Sequence, residues 1–201
     1  MAFPPHPTSG IEFAEMEDNT EEEAIMNQYI TNREIYIKII CGLVPQARKR
    51  LWIATADIKD MYVAVSGERE LIPFLGVLDR LLARGVDIRL IHAKEPGPNF
   101  RQDFDRFPRL WNQLERMLCP RVHFKCIIAD GTKAYFGSAN LTGAGLGAKS
   151  DNRRNFENGL LTDESAVVEP LCEQFDAVWR GAFCATCGRK KFCGDGPVTG
   201  N

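Results

Sequence analysis

The residues of this sequence best suited to chemistry lie between positions 123 and 140. They read His123-Phe124-Lys125, then Asp130 after four residues, then Gly137-Ser138-Ala139-Asn140 after six more. A neutral imidazole nitrogen is a nucleophile, an ammonium is a point cation, and a hydroxyl and an amide are neutral hydrogen-bond donors. Together they suit a tetrahedral anion: cation and donors hold phosphate oxygens while the nitrogen attacks phosphorus.

Such a set needs a scaffold that brings its members to one point. Residues 122–129 read as an apolar strand, on which His123 and Lys125, two apart, point to one face. Asp130-Gly131 is a strong hairpin signal. The return strand, 133–136, carries Ser138 and Asn140 back toward the end where His123 and Lys125 begin. Around this hairpin the apolar periodicity predicts helix over 21–47, strands over 51–58, 86–92 and 157–162, and helices over 70–84, 102–118 and 164–180. That order describes an α/β fold, a mixed β-sheet flanked by helices, with no internal repeat.

Composition supports one globular domain with tails. The chain has 201 residues, 44% hydrophobic and 26% charged, ordinary for a folded protein. No apolar run approaches the roughly 18 residues of a membrane helix, and the start, with Pro4, Pro5 and Pro7, does not read as a secretory signal. Seven acids fall in residues 11–23, and all 25 basic residues lie at or after Arg33. The mildly basic body fits a polyanionic substrate as well as it fits a solvated surface. We expect an acidic N-terminal tail (1–20), a catalytic domain (21–182) and a Cys-rich C-terminal tail (183–201).

His123, Lys125, Asp130, Gly137, Ser138 and Asn140 match HxK(x)4D(x)6GSxN at every fixed position. The segment resembles the HKD motif of the phospholipase D superfamily, and six specified residues make it a specific signal. The resemblance spans roughly residues 24–180 and implies a mechanism. His123 attacks phosphorus to give a phosphohistidine, and a second histidine protonates the leaving oxygen and then activates water. Lys125 and Asn140 stabilise the anion, so catalysis needs no metal or other cofactor. Ser138 binds phosphate or orients the histidine, and Glu157, in Asn155-Phe156-Glu157, holds the imidazole tautomer. Asp130 and Gly137 support the site.

The chain carries one such motif, so the resemblance implies a homodimer in which two copies of His123 meet across a two-fold axis. Small single-motif members of the superfamily are commonly nucleases. The expectation is therefore a cytoplasmic, metal-independent phosphodiesterase cleaving DNA or RNA, without stable membrane insertion. Substrate delivery by a larger complex fits this reading. Two alternatives stand beside it: a phospholipase or phosphatidyl transferase acting on lipid, and a non-catalytic nucleic-acid-binding subunit.

Other features are weighed more simply. Lys149, Arg153 and Arg154, just after the Gly-Ser-Ala-Asn turn, are candidates to bind substrate, and Lys59 can approach the site mouth. His92, with Lys94 two residues on but no continuation of the motif, reads as a strand-end core residue. Trp111 and Trp179 read as core or interface. Residues 143–150 approach a phosphate-binding loop, but Ala148 stands where that loop requires glycine, so nucleotide binding is rejected. Cys41 and Cys126 sit in apolar surroundings and read as core thiols. Cys184-x2-Cys187-x5-Cys193 has metal-ligand spacing, with Cys172 as the expected fourth ligand of a structural zinc site or, second, an iron–sulfur cluster. Unliganded thiols remain the alternative.

Overall fold

Apolar stretches punctuated by proline and glycine set the boundaries of the elements. The computed structural model describes residues 25–59, 61–65 and 70–194; the expected tail 1–20 and the start of the helix expected from 21 lie outside them. In chain order the elements are β1 (Asn27–Thr31), α1 (Arg33–Ile35), a π-helical stretch (Tyr36–Leu43), a 3-10 turn (Val44–Gln46), β2 (Arg50–Thr55), β3 (Tyr62–Val63), β4 (Ile72–Pro73), α2 (Phe74–Ala83), β5 (Asp87–His92), α3 (Pro98–Asp105), α4 (Pro108–Gln113), β6 (Glu115–Leu118), β7 (Lys125–Ala129), β8 (Lys133–Gly137), β9 (Asn158–Thr162), α5 (Ser165–Trp179) and a 3-10 turn (Lys190–Phe192).

Seven strands form one mixed sheet in the order β1-β9-β8-β7-β2-β5-β6. Strand β2 is the seam: it runs parallel to β5 and antiparallel to β7. Alternate residues of β2 feed two cores. Leu51 and Ile53 face the π-helical stretch, α2, α3 and α4, while Trp52 and Ala54 face α5. On the α5 side Trp52 stacks on Phe175 with ring centroids 4.9 Å apart. Arg89 lies over both Trp52 and Trp179. The expected α/β mixed sheet flanked by helices is what forms.

Two segments differ from the periodicity reading. Residues 27–31, expected as helix, are strand β1, paired antiparallel with β9 from Asn27↔Thr162 to Thr31↔Asn158. Only Ile30 of this strand is buried, so cross-strand pairing, not a helical apolar face, fixes its conformation. The helix expected over 102–118 is α3, α4 and strand β6. Pro108 opens α4 at its first turn, where its missing N–H costs nothing. Leu118 lies in β6, paired with His92 of β5. Trp111 is exposed, edge-on to Phe104.

The hairpin that carries the motif is anchored at its turn. Asp130 and Gly131 both have positive φ, 56° and 74°, a region that Asp tolerates and Gly favours. The Asp130 carboxylate accepts from the backbone N–H of Arg48 (3.1 Å), Lys49 (2.7 Å) and Arg50 (3.0 Å). Burial alone would raise this carboxyl; those three N–H groups and the Lys49 charge outweigh it and hold its pKa below the usual value. The turn sits about 17 Å down β7 from Lys125, five residues at strand rise, so Asp130 acts on the fold and not on the reaction. Asp130→Ala is expected to lower stability by about 2 kcal/mol, while kcat per folded molecule holds. A carboxyl with a depressed folded-state pKa stabilises above its unfolded pKa and loses that contribution as pH falls through its folded pKa. Thermal melts from pH 7 to pH 3 should therefore bring the wild type toward the variant.

Candidate active site

The open ends of β7 and β8 hold the motif residues. Lys125, first residue of β7, is buried, and its Nζ donates to the His123 carbonyl oxygen (2.6 Å) and lies 3.3 Å from His123 Nδ1. This clamps the short loop before β7, and the His123 ring is exposed. Burial lowers the Lys125 pKa from its ordinary value; the Glu157 charge opposes that shift without cancelling it. The site thus holds a poorly hydrated cation beside the His123 imidazole, a pair suited to an anion.

Ser138 and Asn140 follow β8. The Asn140 Oδ1 accepts from the backbone N–H of Ala56 (3.2 Å) and Asp57 (3.1 Å), just past β2. With its oxygen held by main chain, the amide presents its NH2 as a donor. Thr55 supports the same corner: its Oγ1 donates to the Asp57 carbonyl oxygen (2.7 Å) and accepts from the Leu141 N–H (3.0 Å). Ser138 Oγ donates to Glu157 Oε2 and accepts from the Asn158 N–H (3.1 Å). Glu157 Oε1 accepts from Asn155 Nδ2 (3.1 Å). Within one chain, then, the Glu157 carboxylate is engaged by Ser138 and Asn155, and its charge reaches Lys125; a bond to His123 is not formed. Gly137 is required for a steric reason: a Cβ there would overlap the Asn158 carbonyl oxygen, breaking the β8–β9 contact that sets Glu157 beside Ser138.

The structure separates the remaining candidates. A cavity of about 550 Å³ at His123 is lined by Lys94, Arg121 and Arg189, together with Ala56, Val122 and Pro120. No binding role is expected for Lys94 or Arg121 from the sequence, whereas Arg189 falls among the basic residues of the Cys-rich segment that can touch a nucleic acid backbone. Arg121 has a local signal, two residues before His123, but Lys94 and Arg189 arrive only through tertiary folding. Lys149 instead lines a different cavity with Arg33 and Lys59. Arg154 is paired with Asp151 at 2.8 Å, and Arg153 is exposed beyond the loop. His92 is buried at the end of β5, with Nδ1 2.7 Å from the Lys94 carbonyl oxygen, as a strand-end core residue.

The cysteines also sort by place. Cys126 is buried in the core facing α5, where burial pushes its thiol up to about 12. Cys172, expected as a metal ligand, lies on α5 within reach of Cys126, Arg50 and Glu169. It is not on the cavity that Cys184, Cys187 and Cys193 line; Cys119 is. The helical spacing that put Cys172 twelve residues before Cys184 aims it into the sheet. Among the described residues, no three His, Cys, Asp or Glu side chains are placed to hold a metal ion.

A mixed sheet ending in this His–Lys and Ser–Asn pair defines a phospholipase D-like domain. The chain belongs to that superfamily: residues 40–179 match the family model for the cardiolipin synthase, PLD-like domain. A search of curated proteins finds no match. Among solved structures the chain is similar to Nuc from Salmonella typhimurium, a phospholipase D family member, at 15% identity and TM-score 0.56, covering 77% of this chain and 94% of that one. It is also similar to NucT from Helicobacter pylori, at 14% identity and TM-score 0.55, covering 76% and 94%. TrmBL2, an archaeal chromatin protein with a novel mode of DNA binding, matches at 15% identity and TM-score 0.52, covering 81% of this chain and 55% of that one. No helix among the described residues is long and apolar enough to cross a membrane.

Proposed function

We propose that the protein is a metal-independent phosphodiesterase that hydrolyses nucleic acid through a phosphohistidine, in a site completed by a second copy of the chain. The observation that carries this reading is the exposed His123 in a cavity walled by Lys94, Arg121 and Arg189 beside the buried Lys125. Cations spread along a cavity fit a chain of phosphates better than a single lipid headgroup with apolar tails.

The reaction follows from the groups. Nε2 of His123 attacks phosphorus, a P–N bond forms and the bond to the leaving oxygen breaks. For Nε2 to attack, the ring proton must sit on Nδ1, which then cannot accept from Lys125. An incoming phosphate oxygen draws the ammonium away and frees that nitrogen. The leaving oxygen takes a proton from a second imidazole. That imidazole then takes a proton from water, whose oxygen attacks phosphorus and releases His123. Among the described residues the other histidine, His92, is buried and held at Lys94, so the second imidazole is assigned to His123 of another copy. Lys125 and the Asn140 amide hold the phosphoryl oxygens throughout.

The test is incubation with labelled single- and double-stranded DNA and RNA in EDTA, alongside vesicles of phosphatidylcholine and phosphatidylglycerol. Cleavage of a nucleic acid is the expected result. Headgroup release from vesicles with all four nucleic acids intact would move the assignment to lipid. Tight binding of DNA or RNA without cleavage of any substrate would make the chain a binding subunit.

A further inference from the structure

We propose that Cys119, Cys184, Cys187 and Cys193 together bind one structural zinc ion, fastening the C-terminal segment to the loop that leads into His123. Four thiols from two distant stretches of chain line a single cavity of about 770 Å³. Cys119 directly follows β6 and is fixed there, its N–H donating to the His92 carbonyl oxygen (2.8 Å). Cys193 lies within electrostatic reach of the Cys119, Cys187 and Cys184 thiols. All four are free cysteines.

The local turns are those that thiolate ligands need. The Cys187 N–H donates to the Cys184 carbonyl oxygen (3.2 Å), closing the turn between the paired cysteines. The Arg189 N–H donates to Cys187 Sγ (3.4 Å), which offsets charge on that sulfur. No carboxylate lines the cavity, whereas Arg121, Arg180, Arg189 and Lys190 do. An all-sulfur set selects a soft or borderline ion, and a zinc ion bound to four thiolates carries two net negative charges that these cations balance. On binding, each thiol releases its proton to solvent and four S–Zn bonds form; zinc stays divalent and nothing is oxidised. The thiols are not grouped as ligands of one ion in this structure, so binding requires them to draw together.

The position gives the ion a purpose. Arg189 donates from Nη1 to the Pro120 carbonyl oxygen (3.1 Å) and lines the His123 cavity. Tying Cys187 to Cys119 therefore pins Arg189 and Arg121 on the wall beside the nucleophile. This consequence rests on the proposed function; zinc binding itself does not.

Metal analysis of the full chain, purified without chelator, tests the inference, with Cys119→Ser and Cys172→Ser compared. We expect one zinc per chain in the wild type and in Cys172→Ser, and zinc release to a chromophoric chelator on the order of tenfold or more faster in Cys119→Ser. Because Cys119→Ser can fail to fold, cobalt(II) is also titrated into metal-stripped wild type and Cys172→Ser. Both should give the thiolate-to-cobalt charge-transfer band of a tetrahedral four-sulfur site at one equivalent. Loss of zinc from Cys172→Ser, iron with acid-labile sulfide, a disulfide among the four cysteines, or wild type that neither holds zinc nor binds cobalt would each overturn the proposal. A nuclease assay that fails while these metal results hold would count against the function and leave the zinc site standing.

Discussion

His123→Ala is expected to abolish phosphodiester cleavage, lowering the single-turnover rate by about four orders of magnitude or more. No neighbour can replace the imidazole. Ser138 is held by Glu157 and Asn158, and a hydroxyl is a weaker nucleophile than a neutral imidazole. The Lys125 amine is buried and clamps the loop. If two copies of His123 serve one site, as proposed, the variant removes both the nucleophile and the acid, and such effects are far from additive. Folding should be spared, since the ring is exposed and closes no core contact. The measurement is a rapid-quench time course on the cleaved substrate, with acid-labile protein-bound phosphate followed in parallel. A rate within tenfold of wild type, or phosphohistidine formed by the variant, would sink the mechanism.

Lys125→Met should be the next most damaging change, costing about a thousandfold in kcat. Methionine fills a similar volume but offers no charge to the phosphoryl oxygens. The wild-type pH profile carries a second signature. The cation is the working form, and burial lowers its pKa, so activity should fall on the alkaline side at a pH below the ordinary lysine value. Glu157→Gln removes the charge that props it up and should move that limb further toward neutrality. Stability contributed by the same group runs the other way. The unfolded chain binds its proton more tightly than the folded one, so this contribution rises with pH across the window. Activity lost there with the melting temperature held would separate titration of Lys125 from unfolding; an alkaline limb at the ordinary lysine pKa, unmoved in Glu157→Gln, would refute it.

Much of this site can be read along the chain because the motif is compact in sequence. Lys125, Ser138 and Asn140 lie on one hairpin whose turn is declared by Asp130-Gly131, and strand alternation does the rest. The alternating elements likewise declare a mixed sheet. What is not legible depends on distant segments. Residues 27–31 carry a weak helical pattern that pairing with β9 overrides. Leu114 to Leu118 continue the apolar spacing of α4, yet the parallel edge of β5 takes four of those residues as strand. Arg189 reaches the His123 cavity, and Cys119 shares a cavity with Cys184, Cys187 and Cys193, only because the C-terminal segment folds back over Pro120. Cys172 shows the converse error: proximity in sequence placed it near Cys184, and the helix turns it inward.

Asn32 joins two of these threads. Its backbone N–H donates to the Glu157 carbonyl oxygen (2.9 Å), and its side-chain Oδ1 accepts from the Glu157 N–H (3.0 Å). The Glu157 carboxylate, bonded to Ser138, is therefore seated by a residue 125 positions away, next to an edge strand with a single neighbour. The β7–β8 hairpin closes a loop of three residues, whereas β1 must find β9 across nearly the whole domain, a far larger entropic search. On these entropic grounds the hairpin is expected to form early and β1 to dock late. Seating of Glu157 is thereby made contingent on the docking of β1, and a chain lacking β1 is expected to fold its hairpin without seating that carboxylate.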